Sequence, residues 1–412
     1  MTAELSALSQ IITALTGLNG LPALIVEALF TAVYTSLGGF RVSFVTDNIQ
    51  GAMVVGLLIL AAITVGVETR IDPELVQSSG LLQPSLLGWQ LLYILPVAIL
   101  TNDFFISGFW MRTFASKTDR DLRIGTSIAT VAISVILVLV GVTGLLAAWT
   151  GAYPGDPPSD GSIAFFLLLG ELPAWVVGIV LCMTITLSTA AFDSFVSSMV
   201  STGSNDFFRN KLNIWIIRIV VLVVSIPVIV VALQAPSILT IYLISDLLSA
   251  SSIPVLVIGL SDRCYMWRGF EVVMGGLGGL LTVFIFGTIY YGNVSQGAGL
   301  LVIQQGLYAN DWSVFGAFVA APVGGLLFAA AAFCARIGSL WTYSRITKTP
   351  FTALDKPVWL ESAAAANEGT DIYTGTQHHN RSSGGSGEDD VDAVGVAKSG
   401  IVENSGLKGK FF

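Results

Sequence analysis

The sequence predicts an all-α polytopic membrane protein, and three observations lead there. Of its 412 residues, 54% are hydrophobic and only 11% are charged, with a mean hydropathy of +0.78. A soluble domain carries roughly 25% charged residues, so this chain lacks the polar surface to cover itself in water. The charges are also unevenly spread. Ile124–Thr150 contains none, and an apolar run of about 18 or more residues is long enough for a transmembrane helix. Finally, the basic residues fall on alternate loops, as membrane topology requires. A soluble enzyme is excluded. The net charge of −8 argues against a nucleic-acid partner.

Ten apolar segments follow one another: roughly Glu4–Thr16, Leu21–Leu37, Thr46–Val67, Leu87–Phe114, Ile124–Thr150, Trp175–Ser198, Ile214–Leu233, Ile238–Leu260, Glu271–Tyr291 and Ser313–Trp341. The first is short. About 13 residues at 1.5 Å each span only about 20 Å, less than a hydrocarbon core of about 30 Å. No basic segment of signal-peptide type precedes it, and the sequence opens as though inside a helix. Residues 1–341 therefore read as the transmembrane domain. Residues 342–412 carry Asn380–Gly387, rich in Ser and Gly, and the acidic run Glu388–Asp392. This composition cannot bury enough apolar surface to fold, and a disordered tail is expected.

Loop cations set the orientation. One set of alternate loops holds Arg41; Arg112, Lys117, Arg120 and Arg123; Arg209 and Lys211; Arg263 and Arg268; then Arg336, Arg345 and Lys348. With Arg218 at a helix base these number thirteen, against Arg70 alone on the other side. The positive-inside rule then places the C-terminus in the cytoplasm of a cell whose plasma membrane holds the protein. The outer loops carry Glu68, Asp72, Glu74, Asp156, Asp160 and Asp311, together with the sequon Asn293-Val-Ser295. Cys182, Cys264 and Cys334 have no metal-ligand or disulfide spacing. Both histidines, His378 and His379, lie in the tail. No cofactor is expected; the lipid bilayer is the solvent.

Chemistry concentrates in two segments. In the fourth, Thr101-Asn102-Asp103 interrupts the apolar run before Phe104–Phe114 resumes with Gly108 inside. Two half-helices meeting at polar residues near mid-membrane can bind substrate or ions through freed backbone groups. Alternatively, Asn102 and Asp103 form an interfacial loop. The sixth segment carries Thr184, Thr186, Ser188 and Thr189, then Asp193 and Ser197-Ser198. Any one hydroxyl can simply bond the carbonyl a turn back. The Ser188-Thr189 pair, one turn from Asp193, with a carbonyl such as that of Ile185, instead suits a small hard cation, which takes oxygen ligands. Carboxylates inside spans are costly and are candidates by default: Glu27, Asp103, Asp193 and Asp246. Glu27 and Asp246 lack polar neighbours in sequence, so each either pairs across helices or acts directly. Asp47 reads as an N-terminal cap.

The run Tyr34-Thr-Ser-Leu-Gly-Gly-Phe-Arg-Val-Ser-Phe-Val-Thr-Asp-Asn-Ile-Gln50 resembles the sodium:solute symporter family, with its diglycine turn leading into a Thr-Asp-x-x-Gln helix start. Glycine suits so tight a turn because it has no Cβ. Val42 departs from the small residue usual in that family. Ile12–Asn19 is similar to the urea and polyamine branch, and Thr46-Asp47 to the sugar and proline branches. Trp110–Lys117, the Ser188-Thr189 pair and Asn205–Arg209 extend the ordered match.

This resemblance implies a LeuT-type bundle of two inverted five-helix repeats, with the broken fourth segment opening the second repeat. Carried over by position, Ile185, Ser188 and Thr189 fall on the sodium ligands, and Asn102, Asp103, Ser107 and Trp110 on the substrate-contacting broken helix. Asp193, one turn on, is a coupling candidate. The family's first broken helix is expected before Met1, so the first repeat reads as incomplete and the 412 residues alone are not expected to transport. The implied function is a symporter coupling sodium, or a proton in its place, to uptake of a small polar solute such as urea, a polyamine, an amino acid or a sugar. The alternative is a nutrient sensor that keeps the fold without transporting.

Overall fold

The structure is a computed structural model that describes residues 1–152, 161–209, 211–234 and 238–355, apart from the side chains at 36–44, 112, 234 and 262. The expected loop acids Asp156 and Asp160 and the tail from residue 356, with His378 and His379, lie outside the described residues. In chain order the helices are α1 (Thr2–Thr16), α2 (Leu21–Glu68), α3 (Pro73–Ser78), α4 (Leu86–Phe105), α5 (Ser107–Phe114), α6 (Asp119–Thr150), α7 (Ala164–Gly170), α8 (Ala174–Thr202), α9 (Ile214–Gln234), α10 (Ile238–Leu260), α11 (Gly269–Tyr291), α12 (Val294–Leu301) and α13 (Ser313–Thr347). Among the described residues there is no strand, and eight spans are long and apolar enough to cross a membrane. The chain is an all-α polytopic membrane protein. The two expected segments that fall short of a span are the first, α1, and Leu21–Thr35.

Helix ends follow local chemistry. The Ser85 hydroxyl accepts the Gly88 N–H at 3.0 Å, and that of Thr118 accepts the Asp121 N–H at 3.1 Å. These side chains satisfy amide donors that a helix start leaves free. Asp119 and Asp121 add negative charge to the first turn of α6, where the helix dipole favours it. Along α6 the apolar side chains Ile128, Val131, Leu137 and Val138 are exposed while Ala147 is buried. A helix with so little buried surface has lipid as its natural neighbour.

The chain divides into two units. The first comprises Met1–Ser249 with Gly299–Phe315, and its centre is the packing of α2 on α8. The described arms of α2, 21–35 and 45–68, run in opposite senses along α8. On the first arm Glu27 meets Thr189 while Thr35 meets Asp193. On the second, Thr46 meets Asp193 while Gly56 approaches Met183. Eleven residues of straight helix would separate Thr35 and Thr46 by about 16 Å, yet both donate to one carboxylate. The expected turn at Gly38-Gly39 falls within a stretch assigned as helix, whose side chains are not described. One apolar cluster joins Leu57, Ala61 and Val65 to Leu168, Val176 and Val180. A second joins Leu5, Leu24, Ala28 and Ala32 to Phe192 and Val221.

The fourth segment is broken, but later than the sequence suggests. Thr101, Asn102 and Asp103 remain helical, and the break is at Ile106, whose ψ of 116° ends α4 before Ser107 opens α5. The polar triplet stays in the helix because its side chains find partners there: the Thr101 hydroxyl bonds the Val97 carbonyl at 2.7 Å, and Asn102 is engaged across to α10. α13 likewise runs to Thr347, beyond the expected end at Trp341.

The second unit, Ala250–Ala298 with the segment from Gly316, packs on small residues. A Cβ at Gly325 would lie 2.4 Å from the Ser251 carbonyl oxygen, and one at Gly279 2.6 Å from that of Ala321. Close backbone approach of this kind is how helices associate where lipid removes the hydrophobic drive between them. Gly325→Ala is expected to lower stability by about 1–3 kcal/mol through overpacking. Gly141→Ala, with open space around it, is the control. Thermal unfolding of the two variants in detergent checks this; equal midpoints would refute the close-approach account.

Candidate functional site

Three polar constellations lie in the first unit, each built where helical spacing brings polar side chains to one face. On α2, Glu27, Thr31, Tyr34 and Thr35 recur at helical intervals. On α8 the facing positions are Thr184, Ser188, Thr189, Asp193 and Ser197. The two stripes meet as a polar seam inside an otherwise apolar contact.

At one end of the seam, Asp193 is fully buried. Its Oδ2 accepts the Tyr34 hydroxyl at 2.9 Å and that of Thr46 at 3.0 Å, and its Oδ1 accepts that of Thr35 at 3.0 Å. Three hydroxyl donors from both arms of α2 thus converge on one carboxylate of α8. Hydrogen bonds to an ionised acceptor are roughly twice as strong as neutral ones. Ser194 donates to Asp47 Oδ1 at 3.4 Å, so Asp47 has a partner across helices in addition to its expected place near a helix start.

The second constellation lies one turn away. Ser188 is buried and its Oγ has no hydrogen-bond partner. The Thr189 hydroxyl lies 2.8 Å from the Ile185 carbonyl oxygen and 3.4 Å from Glu27 Oε1. The Ile185 carbonyl expected to face a cation therefore already accepts a back-bond from Thr189. Glu27 is 6% exposed, and its Oε2 has no partner. Ser188 interacts with the Glu27 carboxylate without closing a geometrically good hydrogen bond. Thr31 Oγ1 and Thr184 Oγ1 are buried and unpaired on the same seam. Buried polar groups are ordinarily satisfied, so this cluster of orphan oxygens has the donor set, oxygen only, that a hard monovalent cation takes.

The third constellation joins α4 to α10. Ser245 Oγ donates to Asn102 Oδ1 at 3.2 Å, and the hydroxyls of Thr101 and Ser249 lie 3.2 Å apart. Asp103 is exposed and Asp246 is buried, and the two carboxylates lie within electrostatic range of each other. Ser107 begins α5. Trp110 turns its indole N–H to the Phe104 carbonyl at 2.8 Å and sets its ring 5.7 Å from Phe104 and 6.0 Å from Phe114. The indole thereby caps a carbonyl that the break at Ile106 leaves free. Asn102 and Asp103 thus share one patch, while Trp110 belongs to the aromatic cluster beside it.

No family model matches the chain. It is 53% identical over 365 residues to the spermidine transporter DUR31 of Candida albicans (strain SC5314 / ATCC MYA-2876), a match covering 88% of this chain and 70% of that protein. The chain belongs to that transporter's family. The chain is also 26% identical over 302 residues to the sodium/pantothenate symporter of Haemophilus influenzae (strain ATCC 51907 / DSM 11121 / KW20 / Rd), covering 68% of this chain and 61% of that protein. Both relatives are consistent with the sodium:solute symporter resemblance carried by Tyr34–Gln50. This family moves solutes, and the chain is not an enzyme.

Glu27, expected to lack polar neighbours, meets Thr189 in the fold, and Tyr34, Thr35 and Thr46 meet Asp193. The signal was present as the spacing i, i+4, i+7 and i+8 from Glu27 to Thr35, a polar stripe within an apolar segment. What faced that stripe was not written in the spacing.

Proposed function

We propose that the chain carries a polyamine across the plasma membrane, driven by the inward movement of sodium. The observation that carries this reading is the Asp103–Asp246 pair. Two carboxylates at the junction of α4 and α10 lie within electrostatic range of each other, and neither has an ion-pair partner among the described residues. A charge kept within a membrane segment calls for a partner, and a substrate with more than one ammonium group supplies two. The spermidine named for the DUR31 relative is such a compound. Asn102 and Ser245 add neutral hydrogen-bonding groups, and Ser107 and Trp110 complete the substrate side at the α4–α5 break. Sodium coupling draws support from the name of the pantothenate relative and from the oxygen-lined seam. There Ser188, Thr189 and Ile185 are the ion's ligands, and Asp193 fixes the helices around them. The C-terminus faces the cytoplasm in this reading.

Coupling requires that the cation bind more tightly in one state of the transporter than in the other, since equal affinity shifts no equilibrium. Uptake of radiolabelled spermidine by cells expressing the chain in a full-length context tests the reading, with sodium replaced by choline. Uptake is expected to collapse in choline. In sodium it is expected to fall about tenfold or more in Asp246→Asn, the equivalent of about 1.4 kcal/mol of lost substrate interaction. Undiminished uptake in choline would remove sodium as the driving ion. Uptake of urea without spermidine would remove the polyamine.

A further inference from the structure

Glu27 lies on the first arm of α2, and none of the groups assigned to substrate includes it. It is 6% exposed; among the described residues it interacts electrostatically with Glu4 of α1 and with no cationic side chain, and its Oε2 has no donor. The Glu4 carboxylate does not relieve it, because Glu4 carries the same charge and its Oε1 is taken by the Tyr242 hydroxyl. A buried carboxylate without a counter-charge is strongly unfavourable. Thr189 lies 3.4 Å from its Oε1, and the orphan Oγ of Ser188 lies on the same side of α8. Thr31, one turn along α2 and fully buried, adds a further unpaired oxygen.

We propose that Glu27 supplies the anionic oxygen of a sodium site that it shares with Ser188 and Thr189. The inference rests on the ion-coupled reading above and deepens it by placing a charged ligand on α2. The carboxylate neutralises the ion, and the hydroxyl oxygens replace part of its water. In this arrangement the oxygens left unsatisfied on both helices acquire a partner together. Ion release leaves an unpaired carboxylate in the seam between α2 and α8, so occupancy of the site is linked to how closely those helices pack.

Binding of radioactive sodium to the purified 412-residue chain in detergent tests this without requiring transport. Glu27→Gln keeps the size of the side chain and removes the charge. It is expected to raise the sodium concentration for half-saturation about 10- to 100-fold, the usual worth of a charged hydrogen-bonding partner. Glu27→Asp is expected to recover binding relative to Glu27→Gln, a result that merely preserved packing would not give. It also keeps the test decisive if Glu27→Gln folds poorly. Glu74→Gln, on an exposed helix, is the control and should bind as the unaltered chain does.

Sodium binding unchanged in Glu27→Gln but weakened in Ser188→Ala with Thr189→Ala overturns the role of Glu27 and leaves the ion-coupled reading standing. Failure of the unaltered chain to bind sodium, or binding indifferent to all these variants, overturns both. Competition by protons alone, with no sodium bound, overturns the sodium assignment in favour of a proton on the same carboxylate.

Discussion

Glu271→Ala is expected to cost the second unit about 3–5 kcal/mol, the usual penalty for breaking a buried ion pair from one side. Glu271 is fully buried at the start of α11. Its Oε1 accepts the Arg336 Nε–H of α13, and its Oε2 accepts the Arg268 backbone N–H at 2.9 Å. Arg336 also donates from Nη2 to the Met266 carbonyl at 2.7 Å and stands 5.5 Å from the centre of the Phe333 ring, which stacks on Trp267. Removing the carboxylate strands the guanidinium among aromatic rings and uncaps the first turn of α11. Arg336→Met added to Glu271→Ala is expected to restore much of the loss, because no buried charge then remains. Unfolding in detergent across the single and double variants measures the coupling. A double variant that loses the sum of the two single losses would show that the pair does not act as a unit.

The second large effect is expected at Asp193. Replacement by Ala removes the acceptor of three hydroxyls at once, from Tyr34, Thr35 and Thr46. A hydrogen bond to a charged group contributes about 1.5–3 kcal/mol. The three share one acceptor and are not additive, so the expected loss is about 3–5 kcal/mol. Asp193→Asn is expected to lose about half as much, since the amide oxygen still accepts while the charge is gone. Thr35→Val and Thr46→Val should each destabilise the parent chain but have little further effect on Asp193→Ala. If the two threonine variants cost as much in the Asp193→Ala background, the carboxylate is not the point where the arms of α2 are tied to α8. Unfolding measurements on both threonine variants in the parent and Asp193→Ala backgrounds decide this.

Much of the architecture was legible from the chain. The length of the apolar runs gave ten segments, eight of which are span-length helices, since a hydrocarbon core imposes a minimum helix length that composition reveals. The broken fourth segment was legible as well. Its position was misjudged because Thr101, Asn102 and Asp103 look like a break to a reader who counts polarity alone. In the folded chain their side chains are satisfied within the helix and by α10, and the backbone turns extended at Ile106 instead. Trp110 shows a similar limit. Beyond the substrate side expected of an aromatic residue after a break, its N–H also serves the freed Phe104 carbonyl, a contact the local sequence does not show.

By itself, the sequence determined the class of protein, the approximate course of its apolar segments and the two segments richest in polar chemistry. These follow from how far apolar residues run and where hydroxyls and carboxylates interrupt them, and both are properties of one strand of chain. Only the tertiary structure decided which polar residues meet. Glu27 and Thr189 are 162 positions apart and Tyr34 and Asp193 are 159 apart, so no local pattern links them. Both described arms of α2 meet α8 at Asp193. Where lipid offers no hydrogen bonds, the polar groups of a buried seam must be satisfied by one another or by an ion, and which of the two occurs depends on what faces them.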